Sequence, residues 1–414
     1  MSVKQTDNQS FIARYKSLPR NVFALSLVSL LNDTSSEIIY PILPVFLTIA
    51  LGTSPFAIGL IEGLAESIAS LLKLFSGYWS DKIRRRKPMV FWGYALTAFT
   101  RPFLAFTTTW PQALAVRAID RIGKGIRSAP RDALIATKIL PEQRGIAFGI
   151  NRAADNLGAV IGPLIGYILI VTIASNPDKL LIDDYRKIFL LASIPTFVAL
   201  LFIVFFVKEQ RTSEVNKKIH VKLSLKEFDP NFKRFLVSIS LFTLSNSTDA
   251  FLLLKAQELG VKSSMLPILW MLLHIAKVIS SLIGGDFSDK IGRKRIILSG
   301  WILYSLVYSG FAFADSEWQI WLLFFIYGFY FGFTEGTERA FVADLIPEEK
   351  RGTAFGLYAL AFSITVFPAS VIFGAIWNFA GPTSAFLFGS TLSLLAAILF
   401  LTVKSPSSAY IPKS

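Results

Sequence analysis

"GYWSDKIRRRK", residues 77–87, returns 208 positions later as "GDFSDKIGRKR", residues 285–295. "PEQRGIAFG" (141–149) returns as "PEEKRGTAFG" (347–356), with its Arg-Gly pair 207 residues on. "RDALIA" (131–136) lies over "ERAFVA" (338–343) at that same spacing of 207. Matches at one near-constant spacing divide the 414 residues into two related halves. The sequence around these polar segments is apolar: 53% hydrophobic and only 17% charged, with 37 Phe and a mean hydropathy of +0.54. A soluble domain carries about 25% charged residues.

Apolar runs of bilayer-crossing length, about 20 residues, are expected near 21–50, 55–77, 88–108, 111–136, 143–173 and 187–207. After a basic linker they resume near 235–257, 264–287, 294–313, 318–343, 352–377 and 383–403. The expected fold class is an all-α membrane protein of 12 transmembrane helices in two pseudo-symmetric six-helix bundles. Residues 1–20 form an amino-terminal tail, 21–207 the first bundle, 208–234 a linker, 235–403 the second bundle and 404–414 a carboxy-terminal tail. The amino end is polar and basic, so the first apolar run reads as an uncleaved span.

The net charge of +14 is segregated. Lys and Arg crowd the amino tail, "DKIRRRKP", the linker and "DKIGRKR", whereas "LGTSPF", "TTTWPQ", "ADSEW" and "NFAGPT" carry none. This positive-inside bias puts both termini in the cytoplasm, in the inner membrane of a cell. The expected partners are lipid, a small solute and protons, with no nucleic acid, and the chain is read as a monomer. Cys is absent and the only imidazoles are His220 and His274, so no metal centre is expected. No cofactor is expected either. Neither a nucleophile–His pair nor a phosphate loop is visible, so the chain does not read as an enzyme.

The fourth span breaks the apolar pattern. "RAIDRIGKGIRSAPRD" (117–132) holds five cations and two carboxylates. At 100° per residue, Arg117, Asp120, Arg121, Lys124, Arg127 and Arg131 fall on one arc of roughly 120°. Arg121 lies about 15 Å along the helix from Pro111, near the bilayer midplane. A cation there costs about 2.5–3.5 kcal/mol, so the stripe faces a cavity or is paired. The tenth span, "FFIYGFYFGFTEGTERAF", has Phe, Tyr and Gly in place of Arg121 and Lys124, so the fold itself does not require those charges. Arg121 and Lys124 are the expected solute contacts. Arg117 joins them or snorkels outward, while Arg127, Arg131 and Asp132 approach the cytoplasmic surface.

Other intramembrane polar residues extend the candidate site. Asp33, Glu37 and Tyr40 share one stripe of the first span, and the two carboxylates are candidates for proton coupling. The alternative is a permanent salt bridge to fourth-span cations. In the seventh span, "LSNSTDAFLLLKAQELG" adds Asn246, Asp249 and Lys255. Arg101 is read as support for the fourth span. Glu62, Glu66 and Lys73 form a stripe in the second span, and His274 and Lys277 one in the eighth. Glu335 and Glu338 are placed to balance the fourth-span cations.

Two parallel six-span halves, each with a "G-x-x-x-D-[KR]-x-G-R-[RK]" loop, resemble the major facilitator superfamily of secondary transporters over nearly the whole chain. The resemblance implies halves that rock around a midplane site lined by the first, fourth, seventh and tenth spans. It implies a gating role for Gly77, Asp81, Arg85, Asp132, Gly285, Asp289 and Arg293, in which loop contacts hold the outward-open state. Arg84 stands where the motif has Gly, whereas Gly292 is kept. "RIGKGIR" resembles the family's "R-x-x-Q-G-x-G", which links Arg121 to proton transfer. "GINRAADNLGAVIGPLIGY", with Gly158, Gly162, Pro163 and Gly166, resembles the antiporter signature; as a bare pattern it allows close helix packing. "DRIGKGIRSAPRDALIA" and "NSTDAFLLLKAQELG" resemble a poorly characterised prokaryotic branch. The expectation is a proton-coupled carrier of an anionic or zwitterionic solute, leaning to export by antiport. Proton-symport uptake of a carboxylate-rich metabolite or chelate, such as a citrate-type siderophore, is the rival. A sensor that binds solute without moving it is the third reading.

Overall fold

The computed structural model describes residues 18–83, 85–137, 139–140, 143–209, 225, 228–347 and 350–404. At residues 81, 282–286 and 289 it describes backbone only. The described residues are helical and contain no strand. α1 is Arg20–Ile39, continued by a short turn, Leu43–Val45, and a π-helical turn, Phe46–Ala50. α2 is Pro55–Ile83, α3 Arg86–Thr100 with a 3-10 extension Arg101–Phe106, α4 Trp110–Ala136, and α5 Arg144–Ile173. α6 joins Ile182–Ala192 to Ile194–Phe206.

α7 comes in two pieces, Pro230–Ser245 and Ala250–Glu258. α8 is Leu266–Ile291, α9 Arg293–Phe313 and α10 Glu317–Leu345. Arg351–Leu401 is helical except at Gly381, whose φ of 85° only glycine adopts readily. That residue, followed by Pro382, separates α11 (351–380) from α12 (382–401). Helix starts follow local chemistry. Pro occupies a first-turn position in α4 and α7. Ser316 and Gln319 form a capping box at α10.

Seven of these helical stretches among the described residues are long and apolar enough to cross a membrane. α4, with 27 residues, has the length, but its ionisable side chains keep it out of that set. The seventh span is not the continuous helix expected: Asn246–Asp249 is unwound. Asn, Ser, Thr and Asp side chains compete for backbone hydrogen bonds there, and Thr248 Oγ1 accepts from the Ala250 amide at 3.3 Å. Irregular backbone at membrane depth is tolerated where it lines a cavity.

Burial is inverted relative to a soluble protein. Trp92, Phe205 and Phe379 are exposed on the outside, whereas Arg101, Arg117, Asp120 and Arg127 are buried. Close packing rests on small residues. A methyl at Gly158 or Gly162 of α5 would meet the Cβ atoms of Asp33 or Glu37 at 3.1 and 2.7 Å, so the two glycines set α5 directly against the α1 carboxylates.

Candidate solute site: a central cavity lined by α4

The α4 stripe borders a cavity of about 560 Å³, shared with α1, α2, α3, α5, α7, α8, α10 and α11. Its lining holds nine Lys and Arg against seven Asp and Glu, a surplus of two positive charges. Most of the cations are spoken for. Arg101 donates to Asp120 at 3.1 Å, and to the Asn32 carbonyl and Thr196 Oγ1 at 2.9 Å each. That is the supporting role expected of it. Arg117 makes a two-bond fork with Glu62 of α2, at 2.9 and 2.6 Å, and both are buried. It neither snorkels outward nor offers a free guanidinium, because Glu62 uses both ends of its fork.

Arg127 is also deeper than expected. It donates to Thr97 Oγ1 at 2.7 Å and lies over the Tyr94 ring at 4.3 Å. Arg131 is bound by Asp132 at 3.0 Å and Ser29 at 2.6 Å, with Asp155 at 3.9 Å. Two cations of the stripe stand apart. The nearest carboxylate to Arg121, Glu66, is 4.0 Å away, and its buried Nε has no hydrogen-bond partner. Lys124 has no ion pair within 4.0 Å among the described residues. The stripe thus reduces to two cations at adjacent turns, facing the space.

Facing them, the α1 carboxylates differ. Asp33 accepts from neighbouring Asn32 at 3.0 Å. Glu37 Oε2 accepts from Trp270 Nε1 of α8 at 2.7 Å, with His274 Nε2 at 3.7 Å. Among the described residues no ion pair joins either to an α4 cation, so the permanent bridge is absent in this conformation. Tyr40 lies 3.4 Å from Thr248 Oγ1 and against the Trp270 ring at 4.9 Å. Asn246 donates to Tyr330 at 3.2 Å, and Asp249 accepts from Tyr327 at 2.9 Å. All of these except Tyr330 and Tyr327 and His274 line the cavity.

Three expected residues fall elsewhere. Lys255 is buried in the second piece of α7, off the cavity wall. Glu335 pairs with Lys277 at 3.1 Å rather than with α4. Glu338 is held by Trp301 at 3.0 Å and Tyr358 at 2.9 Å. Sequence periodicity identified the ionisable groups but could not pair them, because most of the partners lie on other helices. The neutral partners Thr97, Thr196, Tyr94 and Trp270 carry no charge to single them out. Arg152 and Asp155, in "NRAADN" of α5, are ionisable cavity residues that the helical stripes of the sequence did not single out.

The loop copies also differ by one residue. Arg293 donates to the Ala340 carbonyl at 3.0 Å and pairs with Asp344. Its structural counterpart is Arg86, which donates to the Ala133 carbonyl at 3.3 Å and to Thr137 at 2.9 Å. Arg85, the residue expected in that place, is exposed and caps α3 in extended backbone, φ −125°. The second loop turns on Gly292 alone, at φ 100°. The first has one residue more between its helices, and Arg84, which stands where the motif has glycine, lies outside the described residues. A methyl at Gly77 would lie 3.5 Å from the Ala129 Cβ of α4. The side chains of Asp81 and Asp289, and Gly285, lie outside the described set.

The two sets of helices meet at the end opposite these basic loops. A methyl at Gly59 of α2 would lie 2.2 Å from the Ser370 carbonyl of α11. Asp178, beyond α5, pairs with Lys262, before α8, at 2.8 Å. Toward the basic end the cavity continues past Lys73, Arg131, Arg152 and Asp155.

A family model described as Major Facilitator Superfamily matches residues 25–276 and 234–414. An uncharacterized MFS-type transporter of Methanocaldococcus jannaschii is 36% identical over 394 residues, 94% of this chain and 96% of the relative. The multi-drug resistance efflux pump PmrA of Streptococcus pneumoniae is 24% identical over 374 residues, 87% of this chain and 88% of its own length. Among solved structures, that of the nucleoside transporter NupG is similar in fold, with a TM-score of 0.76 at 14% identity. The match covers 92% of this chain and 98% of that one.

Proposed function

The chain belongs to the Major Facilitator Superfamily of membrane transporters, and from that premise we propose that it carries a small anionic or zwitterionic solute by proton-coupled alternating access. The observation that carries the reading is the pair Arg121 and Lys124. They are half-buried in the cavity wall and lack the close carboxylate partners that hold Arg101, Arg117 and Arg131. A solute oxyanion completes their pairing, with Arg121 supplying a fork and Lys124 a point charge. The surplus of two positive charges in the lining supports a solute of one or two negative charges.

Coupling is assigned to the α1 carboxylates Asp33 and Glu37, with Asp249 across the cavity as the alternative. Glu37 has the stronger support, because its bond to Trp270 joins α1 to α8 where the two sets of helices meet. A proton gained or lost there changes a contact made in one conformation only, which is what shifts a two-state equilibrium. With the basic end in the cytoplasm, this conformation faces inward. Export by antiport is favoured because a relative, PmrA, is described as an efflux pump. The working unit is a monomer in the cytoplasmic membrane.

The test is counterflow of labelled carboxylates in proteoliposomes, with and without an imposed pH gradient. Wild type exchanges at least one and accumulates it only with the gradient. Arg121→Ala and Lys124→Ala remain folded by thermal melting and lose exchange. Normal exchange by both variants would assign the pair to structure and remove the basis for an anionic solute.

A further inference from the structure

The cavity is asymmetric in a way that bears on the rest of the solute. Among the described residues, the first six helices contribute no aliphatic side chain and no Phe or Trp to its lining: Tyr40 is their only aromatic, amid carboxylates, cations, hydroxyls and Asn32. Trp270, Phe331, Phe362 and Val366 all come from the last six. The repeat shows that this is a substitution within one framework. Arg86 to Ala133 and Arg293 to Ala340 are the same contact 207 residues apart, so α4 and α10 superpose at that offset. At the offset, Lys124 corresponds to Phe331 and Arg121 to Gly328. Where one half presents its unpaired cation to the cavity, the other presents an aromatic ring.

That ring is held in place. Lys277 Nζ lies 4.3 Å from the Phe331 centroid and is itself paired with Glu335. Tyr327 and Tyr330 contact the ring at 5.2 and 4.9 Å. Phe362 of α11 is 37% exposed and lines the cavity. Ser67 donates to the Ser363 carbonyl at 3.1 Å, which brings the Phe362 turn beside Glu66, the residue facing Arg121. An apolar wall left in contact with cavity water gains when an apolar body covers it, and aromatic walls favour rings in stacked or edge contact.

Resting on the oxyanion reading above, we infer that the solute is an amphipathic aromatic anion. Its oxyanion head is bound by Arg121 and Lys124, and its ring system lies against Phe331, Phe362 and Val366. The cavity volume of about 560 Å³ falls in the range of about 300–1,000 Å³ typical of drug-sized ligands.

The test is equilibrium binding to the purified full chain in detergent, with four probes: 2-naphthoate, acetate, succinate and the uncharged 2-naphthylmethanol. Naphthoate is expected to bind at least tenfold more tightly than acetate or succinate, and the alcohol to bind weakly. Phe331→Ala and Phe362→Ala should each cost naphthoate about tenfold, about 1.4 kcal/mol, without changing succinate. Phe362→Leu, which keeps the site apolar, should lose less and guards against misfolding of the alanine variant. Arg121→Ala should weaken naphthoate and succinate alike. Succinate binding as tightly as naphthoate, or phenylalanine variants that leave naphthoate unchanged in folded protein, overturns the aromatic body while the oxyanion reading stands. Naphthylmethanol binding as tightly as naphthoate, or no anion binding at all, overturns the oxyanion reading and this inference with it.

Discussion

Glu62→Gln separates a structural Arg117 from a solute-binding one. The wild-type fork places Arg117 Nε and Nη2 at 2.9 and 2.6 Å from the Glu62 oxygens, both residues buried. Replacing the carboxylate with an amide removes the compensating charge and one acceptor, leaving a guanidinium stranded between α2 and α4. Breaking a buried pair from one side costs about 3–5 kcal/mol, whereas replacing both partners with apolar groups of similar volume is close to neutral. The expected series is therefore a loss of about 3–5 kcal/mol for Glu62→Gln, a similar loss for Arg117→Met, and within about 1 kcal/mol of wild type for Glu62→Leu with Arg117→Met. Reversible denaturation in mixed detergent measures the three, and the double-mutant cycle gives the coupling. Anion binding by the double variant should stay within about threefold of wild type. A double variant that is stable but no longer binds would return Arg117 to the solute site. A Glu62→Gln variant as stable as wild type would show that the fork does not hold α2 to α4.

Three further outcomes follow from particular contacts. Gly162→Ala forces a methyl to within 2.7 Å of Glu37 Cβ and the Thr34 carbonyl, costing about 1–3 kcal/mol by overpacking; Gly149→Ala, with nothing within 4 Å, should melt at or above wild type. Asp178 raises the Lys262 pKa by hydrogen bond and charge, so this exposed pair holds the end opposite the basic loops closed at neutral pH and is lost as pH rises through that raised value. Distances between labels on cysteines introduced into this Cys-free chain should lengthen there in Asp178→Asn, and high salt should reproduce part of the shift; an unchanged distribution assigns the pair to the surface alone. Glu37→Gln still accepts from Trp270 but cannot titrate, so it should abolish pH-driven accumulation while sparing solute exchange; accumulation that persists moves the coupling carboxylate to Asp33 or Asp249.

The architecture was largely legible because the membrane leaves few alternatives. A backbone crossing lipid must satisfy itself within helices, so long apolar runs became helices, and the 207-residue repeat set how they correspond. The misreadings have local causes. "NSTD" interrupts α7 because Thr248 bonds to the Ala250 amide while Asn246, Ser247 and Asp249 bond to tyrosine hydroxyls of α9 and α10, partners hidden in an otherwise apolar run. Identical letters pair Arg85 with Arg293 at an offset of 208, whereas the helices α3 and α9 begin at Arg86 and Arg293, an offset of 207.

The α4 stripe shows where legibility ends. Periodicity put Arg117, Arg121, Lys124, Arg127 and Arg131 on one wall, and all five line the same cavity. Sequence treats them as five equivalent charges, and only the neighbours distinguish them. Glu62 takes the first, Thr97 and Tyr94 the fourth, Asp132 and Ser29 the fifth. Glu62, Thr97, Tyr94 and Ser29 come from other helices and Asp132 from α4 itself, and each contact holds a side chain that could otherwise turn to a solute. The tenth helix shows that the same framework stands without them: Tyr308 and Tyr327 fill the places of Arg101 and Asp120, and Phe324 that of Arg117. An ion pair among aromatic alternatives gains little in stability, so the paired charges of the first half serve to fix geometry. They lock α2, α3 and α4 around Arg121 and Lys124, whose one ion pair among the described residues is the 4.0 Å approach of Glu66 to Arg121.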